Sequence, residues 1–248
     1  MQRVMSLIPK VIHYCWFGRN EKSESMQKCI GSWKKFCPDY KIIEWNEDNF
    51  NIDCTPFVRE AYDAKKWAFV ADYARLFVVY ENGGIYLDTD VELLKSLDDF
   101  LGLHAYMGFQ GTEYVNTGLG FGAEKGDPIV YEMLCDYHDR HFSADTGDCM
   151  DISCPIINSL ILDKYGFVRN GEKQTVKDVT IFPRDYFDPK DCETYITTIT
   201  ENTHSIHHYD ATWRNNYGGL KQKLIRAVVK LIGRERFLRL KSLLKGNK

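Results

Sequence analysis

The sequence between residues 71 and 90 joins an apolar helical pattern to a short strand that ends in two acids. It reads Ala71-Asp72-Tyr73-Ala74-Arg75-Leu76-Phe77-Val78-Val79-Tyr80-Glu81-Asn82-Gly83-Gly84-Ile85-Tyr86-Leu87-Asp88-Thr89-Asp90. Paired glycines end a helix readily because they tolerate the left-handed backbone found at helix C-termini. The apolar residues that follow predict a strand over 85–91. A helix that leads through a tight turn into a buried strand is typical of α/β folds.

The segments before this stretch predict a β-α-β unit. Residues 10–17 form an apolar run that Gly18 stops, and residues 40–45 form a second run. Between them a helix is expected from Ser23 or Ser25 to Phe36, since Pro38 follows. Two strands joined by a helical crossover pair in parallel.

The rest of the chain alternates helical and strand patterns, with no internal repeat. Thr55-Pro56 predicts a helix start, and the helical pattern continues to about Glu81, in one or two pieces. Further strands are expected at 105–109, 118–122, 179–182 and 205–209, and further helices at 127–141 and 155–164. This order predicts one α/β domain over residues 1–214 and a helical appendage over residues 215–248.

Composition indicates a globular chain that does not span a membrane. Hydrophobic residues make up 44% and charged residues 27%, which is ordinary for soluble proteins. No apolar run approaches the roughly 20 residues that cross a bilayer, and no secretory leader is expected before Pro9. The eight cysteines include no Cys-x-x-Cys pair, which argues against structural zinc and favours reduced thiols. A cytoplasmic protein is therefore expected.

The C-terminal segment carries an unusual charge. Residues 221–248 contain ten basic residues and one acid, Glu235, so they carry +9, and the remainder carries −12 of the total of −3. Interspersed leucine, isoleucine and valine residues predict an amphipathic basic helix, broken near Gly233. Such a helix over 220–248 suits an anionic membrane surface. Packing of its apolar side on the domain is the open alternative. No nucleic-acid-binding motif accompanies the charge, so no nucleic-acid partner is expected.

Asp88 and Asp90 are the first candidate functional residues. Residues two apart in a strand point to the same side, so their carboxylates are expected to converge. They follow an apolar strand, where open α/β sheets place ligands. Like charges repel unless a cation lies between them, and Mg²⁺ or Mn²⁺ accepts carboxylate and diphosphate oxygens together. The alternative is a solvated loop end.

Asp72 and Arg75 are the second candidate pair. They lie three apart in a helical pattern and therefore share a face. Arg75 could contact a phosphate with two N–H groups, and Asp72 could accept sugar hydroxyls. The alternative is a surface ion pair of little energetic weight. The helix is apolar nearly all round, which favours a cleft over an open face.

These features resemble the signature of family 32 glycosyltransferases, as does the opening run Ile8-Pro9-Lys10-Val11-Ile12-His13-Tyr14-Cys15-Trp16-Phe17-Gly18. That family includes bacterial capsular-polysaccharide transferases, initiating mannosyltransferases and, more distantly, clostridial glucosylating toxins. The similarity covers about residues 8–214. It implies a GT-A fold, a nucleotide-sugar donor, a divalent metal (Mn²⁺ or Mg²⁺) and retention of anomeric configuration.

The resemblance also implies residue roles. Asp72 and Arg75 would bind the donor sugar and phosphate. Asp88 would contact the ribose or the sugar and also the metal, and Asp90 would be a metal ligand. Trp16 would stack on the nucleobase, with core packing as the alternative. Tyr14 would be a further donor contact. Asn116, in Val115-Asn116-Thr117-Gly118, could hydrogen-bond donor or acceptor hydroxyls, and the alternative is an asparagine that suits the turn before a strand.

The segment Ile206-His207-His208, followed by Trp213-Arg214, is similar to the C-terminal segment of the family. There a metal ligand precedes a Trp that closes over the donor, which suggests Trp213 as a lid. Adjacent residues of a strand point oppositely, so only one histidine would face the metal, and we choose His208. One packed and one exposed histidine is the alternative. Asp151 is expected near the acceptor, although residues 151–155 lack the Gly-Pro typical of that position.

The combined expectation is a retaining glycosyltransferase for cell-surface polysaccharide synthesis. It would move a hexose or N-acetylhexosamine from a UDP-sugar to a glycan or lipid-linked glycan, at the inner face of a bacterial cytoplasmic membrane. A metal-dependent phosphoesterase is one alternative, although it would need more His and Asp ligands. A non-catalytic sugar-nucleotide-binding or membrane-associated protein is the other.

Overall fold

The N-terminal part of the fold is a parallel strand pair with a helical crossover. A computed structural model describes residues 7–142, 153–191, 193–209 and 219–245. Strand β1 (Val11–Cys15) leads to helix α1 (Glu24–Phe36) and then to β2 (Lys41–Trp45), which lies parallel to β1. The Ser23 hydroxyl accepts a hydrogen bond from the Met26 amide and so caps α1. The predicted β-α-β unit is confirmed.

Two helices follow, so the helical pattern predicted from Thr55 to about Glu81 forms in two pieces. Helix α2 (Pro56–Asp63) is capped by the Thr55 hydroxyl, and α3 (Trp67–Asn82) ends at Gly83, which has φ 67°. L side chains rarely adopt that conformation. A Cβ at Gly84 would lie 2.8 Å from the Val11 carbonyl oxygen, so a glycine lets strand β3 (Gly84–Tyr86) approach β1. The paired glycines therefore end the helix and permit the strand pairing.

The predicted strand over 85–91 is wrong in its second half. Strand β3 ends at Tyr86, and a separate strand, β4 (Val91–Leu93), follows after a turn. The Val91 amide donates to the Asp88 carbonyl oxygen across 3.0 Å, which closes the turn. Asp88 and Asp90 therefore lie in a turn, and strand alternation does not govern where their side chains point.

The second half of the chain completes the sheet. Its elements are β5 (Ala105–Gln110), β6 (Tyr114–Val115), β7 (Phe121–Ala123), α4 (Pro128–Cys135), α5 (Cys154–Asp163), β8 (Gln174–Val176), β9 (Val179–Phe182), α6 (Arg184–Phe187) and β10 (Ser205–His207).

Two of the predicted elements in this half need correction. The predicted strand over 118–122 begins only at Phe121, because Thr117–Leu119 forms a 3₁₀ turn in which the Asn116 side chain accepts from the Gly118 amide. The helix predicted over 127–141 ends at Cys135.

The main sheet is mixed and has the order β2-β1-β3-β7-β5-β9-β8, with β6 paired to β5. Strands β1, β2 and β3 are parallel, β7 is antiparallel to both neighbours, and β9 runs parallel to β5. Strand β4 pairs with β10 in a separate two-stranded sheet. Ile85 and Tyr86 belong to different hydrophobic clusters, so β3 contributes to the cores on both faces of the sheet. The expected α/β class is confirmed.

The C-terminal segment forms two helices, α7 (Gly219–Ile232) and α8 (Arg234–Lys245). Gly233, with φ 85°, separates them, as the sequence predicted. Across the described ranges, no helix is long and apolar enough to cross a membrane.

Candidate active site at the end of strand β3

The candidate site is organised around Arg75, on the middle of α3. Its Nη1 lies 3.0 Å from Asp72 Oδ1, one helical turn earlier, and both residues are buried. Its Nη2 lies 3.1 Å from Asp88 Oδ1, just beyond β3. Because of this burial, the alternative of a surface ion pair does not hold. The Gly83-Gly84 turn joins α3 directly to β3 and so brings Asp72, Arg75 and Asp88 together.

Neighbouring polar groups hold Asp88 and Arg75 in place. The Tyr86 hydroxyl donates to Asp88 Oδ1 at 2.9 Å, and the Arg75 guanidinium lies 5.2 Å from the centre of the Tyr86 ring. The backbone of Gly118 passes close by. A Cβ there would lie 2.5 Å from Asp88 Oδ2 and 3.1 Å from Arg75 Nη1. The position therefore has no room for a side chain.

Asn116 and Cys154 complete the surroundings of Arg75. The Cys154 thiol accepts a hydrogen bond from Arg75 Nη1 at 3.2 Å and donates one to Asn116 Oδ1 at 3.2 Å. The same Asn116 oxygen accepts from the Gly118 amide at 2.7 Å. All of these groups are buried, and they join α3, the 3₁₀ turn and α5. We call Asp72, Arg75, Asp88, Asn116 and Cys154 the arginine cluster.

A second group of side chains suits a cation. His207 Nε2 lies 3.1 Å from Asp90 Oδ1 and 4.0 Å from Asp88 Oδ2. One ligand atom from each of Asp88, Asp90 and His207 lies within 4.8 Å of the others. Two carboxylate oxygens and an imidazole nitrogen form a donor set that Mn²⁺ accepts, and Mg²⁺ more weakly. We call these three residues the cation triad, and their chemistry fits the divalent metal that the sequence suggested.

The histidine of the triad differs from the one chosen from the sequence. We predicted His208, but its Nε2 lies 2.8 Å from Glu92 Oε2, away from the two aspartates. Strand β10 pairs antiparallel to β4 with His207 opposite Val91, next to Asp90. This register turns His207 towards the aspartates. Strand alternation correctly predicts that only one histidine faces the site but does not say which.

Burial and neighbouring charges shift the pKa values of the acids. Burial raises the pKa of Asp72 to about 6, although Arg75 opposes the shift. Burial also raises the pKa of Asp88, against the effects of Arg75 and His207. Burial opposes the charged form of Arg75, yet Asp88 and Asp72 hold its pKa well above the usual value. Arg75 therefore stays charged between two carboxyl groups.

His207 also reflects the negative charge of the site. Burial disfavours the imidazolium, but the carboxylates of Asp90, Asp88 and Asp188 outweigh that effect and raise the pKa of His207. Its buried Nδ1 has no hydrogen-bond partner within the described residues. The triad therefore attracts positive charge, from a proton or from a metal ion.

The predicted contacts on β1 lie in two different environments. Trp16 is half-buried at the end of the strand, its Nε1 donates to the Asn20 carbonyl oxygen at 2.6 Å, and the Lys22 ammonium lies 5.5 Å from its ring centre. Tyr14 is buried edge-on against Trp33, and its hydroxyl donates to Glu44. Trp16 therefore keeps an accessible part, whereas the Tyr14 ring belongs to the core. Asp151 and Trp213 lie outside the described residues.

The structure adds site residues that no sequence pattern indicated. Besides His207, Gly118 and Cys154, these are Tyr209 and Asp188. The Tyr209 ring lies 4.2 Å from the His207 ring, and its hydroxyl donates to Asp188 Oδ1 at 2.7 Å. No local motif marks these positions, because chain segments distant in sequence bring them together.

Sequence comparisons find glycosyltransferases among the proteins similar to this chain. Residues 23–106 match the family model described as "Glycosyltransferase sugar-binding region containing DXD motif". Inositol phosphoceramide mannosyltransferase 3 of Schizosaccharomyces pombe is 30% identical over 135 residues, which cover 51% of this chain and 36% of that protein. Mannosyl phosphorylinositol ceramide synthase SUR1 of Saccharomyces cerevisiae is 25% identical over 180 residues, covering 69% of this chain and 46% of that protein. The chain spans less than half the length of either relative.

The structural comparison concerns the fold. The solved structure "PaToxG Glycosyltransferase" superposes with a TM-score of 0.52 at 18% identity, covering 63% of this chain and 69% of that chain. The mixed sheet with flanking helices is therefore a GT-A-type fold, and the expected architecture is confirmed.

Proposed function

We propose that this chain is a glycosyltransferase that uses a nucleoside-diphosphate sugar, since residues 23–106 match the family model of glycosyltransferase sugar-binding regions that contain the DXD motif. One observation carries the proposal: a buried guanidinium and a triad suited to a cation share Asp88 at the carboxyl end of β3. A departing diphosphate needs two sources of positive charge at such a point. The arginine cluster and the cation triad would supply one each.

The chain's own residues have distinct parts in the reaction. Arg75, fixed by Asp72 and Asp88, stabilises the negative charge that grows on the leaving diphosphate. Asp72 and Asp88 hold the donor sugar through its hydroxyl groups. Asp88, Asp90 and His207 would hold a divalent cation, which supplies Lewis-acid neutralisation of the same leaving group. Trp16 stacks on the nucleobase.

We propose retention of anomeric configuration through attack on the same face of the sugar. The acceptor hydroxyl oxygen forms the new bond to the anomeric carbon while the bond from that carbon to the phosphate oxygen breaks. The proton of the hydroxyl passes to the departing phosphate oxygen, so no protein nucleophile is required. Trp213 and Asp151, outside the described residues, stay predictions as lid and acceptor contact.

Two donor classes fit this proposal. The family resemblance favours a UDP-linked hexose or N-acetylhexosamine. The yeast relatives are named for mannosyl transfer, which makes GDP-mannose the second candidate. The Schizosaccharomyces pombe relative is named for inositol phosphoceramide, a lipid, so a lipid-linked glycan is the acceptor class that we favour. A role in bacterial cell-surface polysaccharide synthesis at the inner membrane face is part of the proposal.

A donor panel tests this function. The protein is incubated with UDP-sugars or GDP-mannose, with Mn²⁺, Mg²⁺ or a chelator, and nucleotide release and sugar transfer are measured together. We expect turnover of one donor only with metal, and a loss of roughly 100- to 1,000-fold in Asp90→Asn. Asp139→Asn, an exposed aspartate outside the site, is the matched control and should equal wild type.

Three results would contradict the proposal. They are full turnover of Asp90→Asn in chelator, cleavage of a simple phosphate ester without sugar transfer, and donor binding without turnover for every donor in the panel. The second result would indicate the phosphoesterase, and the third the non-catalytic binding protein.

A further inference from the structure

Helix α7 exposes leucines that the domain does not cover. Leu224 is 66% exposed and Leu231 is 84% exposed. They lie seven residues apart, or about two turns, and therefore on the same side of the helix. Val229 is buried, so α7 packs against the protein through a different side. The apolar surface predicted for the tail is thus only partly used in packing.

A row of basic residues lies beside these leucines. Lys223, Arg226 and Lys230 are exposed, and at about 100° per residue they fall within an arc of about 60°. That arc lies next to the side that carries Leu224 and Leu231. None of the three basic residues makes an ion pair with a described residue. Helix α7 therefore presents unneutralised positive charge next to exposed apolar surface.

Helix α8 has the same division between a bound and an outward side. Arg234 Nε lies 3.0 Å from Asp191 Oδ2, and Lys241 Nζ lies 3.4 Å from Glu193 Oε1. These ion pairs tie α8 to the acidic body of the protein. Its remaining side exposes two leucines and two arginines, namely Arg236, Arg239, Leu240 and Leu243.

We propose that the outward sides of α7 and α8 form a docking surface for an anionic lipid bilayer. Exposed leucines next to arginine and lysine suit the boundary between headgroups and acyl chains, where the leucines insert and the bases meet lipid phosphates. Helix packing on this chain's own domain does not account for the leucines that stay exposed. The charge of the surface matches an anionic membrane and opposes docking to another basic surface.

Docking through this surface would place the proposed active site close to a membrane. Helix α7 begins about a dozen residues after His207. Even a fully extended chain of that length spans only about 40 Å, which is the upper limit for the distance from the cation triad to the start of α7. Docking therefore holds the active site near the bilayer. The inference rests on the proposed function only for the class of acceptor, a sugar carried by a membrane lipid. The docking itself requires no catalysis.

Vesicle flotation tests the docking without an activity assay. The full chain is mixed with phosphatidylcholine vesicles or with vesicles that contain about 30% phosphatidylglycerol. We expect binding only to the anionic vesicles, weakened by salt. Lys223→Gln/Arg226→Gln/Lys230→Gln should bind on the order of 100-fold more weakly, and Leu224→Ser/Leu231→Ser roughly 10-fold more weakly.

Matched variants on the body of the protein separate this surface from general charge and hydrophobicity. Lys34→Gln/Lys35→Gln/Lys164→Gln removes three exposed charges, and Leu160→Ser/Val168→Ser removes side chains that are 50% and 56% exposed. Both should bind like wild type. Absence of binding to anionic vesicles, equal binding to neutral vesicles, or equal losses in the control variants would overturn the proposal. Loss of self-association in the leucine variant without any vesicle binding would also overturn it and assign the surface to a second copy.

Discussion

The arginine cluster and the cation triad lie side by side but are stabilised in different ways. In the arginine cluster one buried cation is enclosed by two carboxyl groups, a thiol and an aromatic ring, all supplied by the chain. In the cation triad two carboxylates meet one imidazole, and the buried Nδ1 of that imidazole has no partner in the described part of the chain. Arg75 Nε is likewise buried without a hydrogen-bond partner among the described residues, so the two groups differ in charge. The first group contains a permanent cation, and the second consists of two carboxylates beside an imidazole that can lose its proton.

This difference separates stability from ligand binding. A buried charge that loses its partner destabilises a fold strongly, because the charge stays out of water. Two neighbouring carboxylates repel each other, so removing one of them relieves repulsion and costs the fold less. Substitution of Arg75 should therefore reduce both stability and activity, whereas substitution of Asp90 or His207 should reduce activity and metal affinity with a smaller loss of stability.

The largest combined effect is expected from Arg75→Met. This change leaves Asp72 and Asp88 without their shared cation, so we expect loss of transfer activity and a fall of about 3–5 kcal/mol in the free energy of unfolding. Urea denaturation measures the second effect. Arg59→Met is the matched control, since Arg59 pairs with Asp53 and Asp63 on the surface, and it should cost less than about 1 kcal/mol. Equal stability of the two variants would show that the buried network is not a stabilising unit.

The next effect is expected from His207→Gln, compared with His208→Gln. His207 belongs to the triad, and His208 pairs with Glu92, so only the first change removes a metal ligand. We expect Mn²⁺ affinity to fall about 10-fold or more in His207→Gln, with a smaller loss of unfolding free energy than in Arg75→Met. Titration calorimetry with Mn²⁺ measures the affinity. A larger loss of Mn²⁺ affinity in His208→Gln would indicate that His208, the histidine predicted from the sequence, is the metal ligand.

The sequence predicted the arginine side of the site better than the triad because the former is local. Asp72, Arg75 and Asp88 lie within 17 positions of one another. The first two are on α3, and Asp88 lies just beyond the short strand β3, which two glycines join to that helix. Helical spacing and the short turn were enough to bring them together. The sequence also predicted that Asp90 lies near Asp88. The reason was strand alternation, which does not apply because both residues lie in a turn.

The remaining site residues come from segments that only tertiary structure brings near. The choice between His207 and His208 depends on the register of β10 against β4, which the sequence of either strand does not specify. Gly118 lies on a 3₁₀ turn and Cys154 at the start of a helix. The sequence around each of them indicates only its own secondary structure and not its contact with Arg75. The GT-A architecture was predictable because the β-α-β pattern and the family resemblance agreed.

A smaller effect, confined to the point where the two groups share Asp88, is expected from Gly118→Ala. The added Cβ would lie 2.5 Å from Asp88 Oδ2, so the carboxylate must move relative to both Arg75 and the triad. We expect a loss of about 1–3 kcal/mol in unfolding free energy and a clear fall in kcat. Gly31→Ala, at an exposed position of α1 with no atom within 4 Å of the added Cβ, should instead be neutral or slightly stabilising. Similar behaviour of both variants would contradict the tight packing at Asp88.

The smallest effect is expected from Cys154→Ala, which removes one link within the arginine cluster and leaves its charges in place. The thiol joins Arg75 to Asn116, so its loss allows both side chains to shift and should raise the donor KM about 2- to 10-fold. Cys154→Ser keeps a donor and an acceptor and should recover most of the difference, whereas Cys29→Ala, a buried thiol on α1, should leave the donor KM unchanged. Serine behaving no better than alanine would mean that Cys154 acts by filling space. The arginine cluster would then owe its geometry to the two ion pairs of Arg75 alone, and its contrast with the cation triad would rest on charge and not on hydrogen bonding.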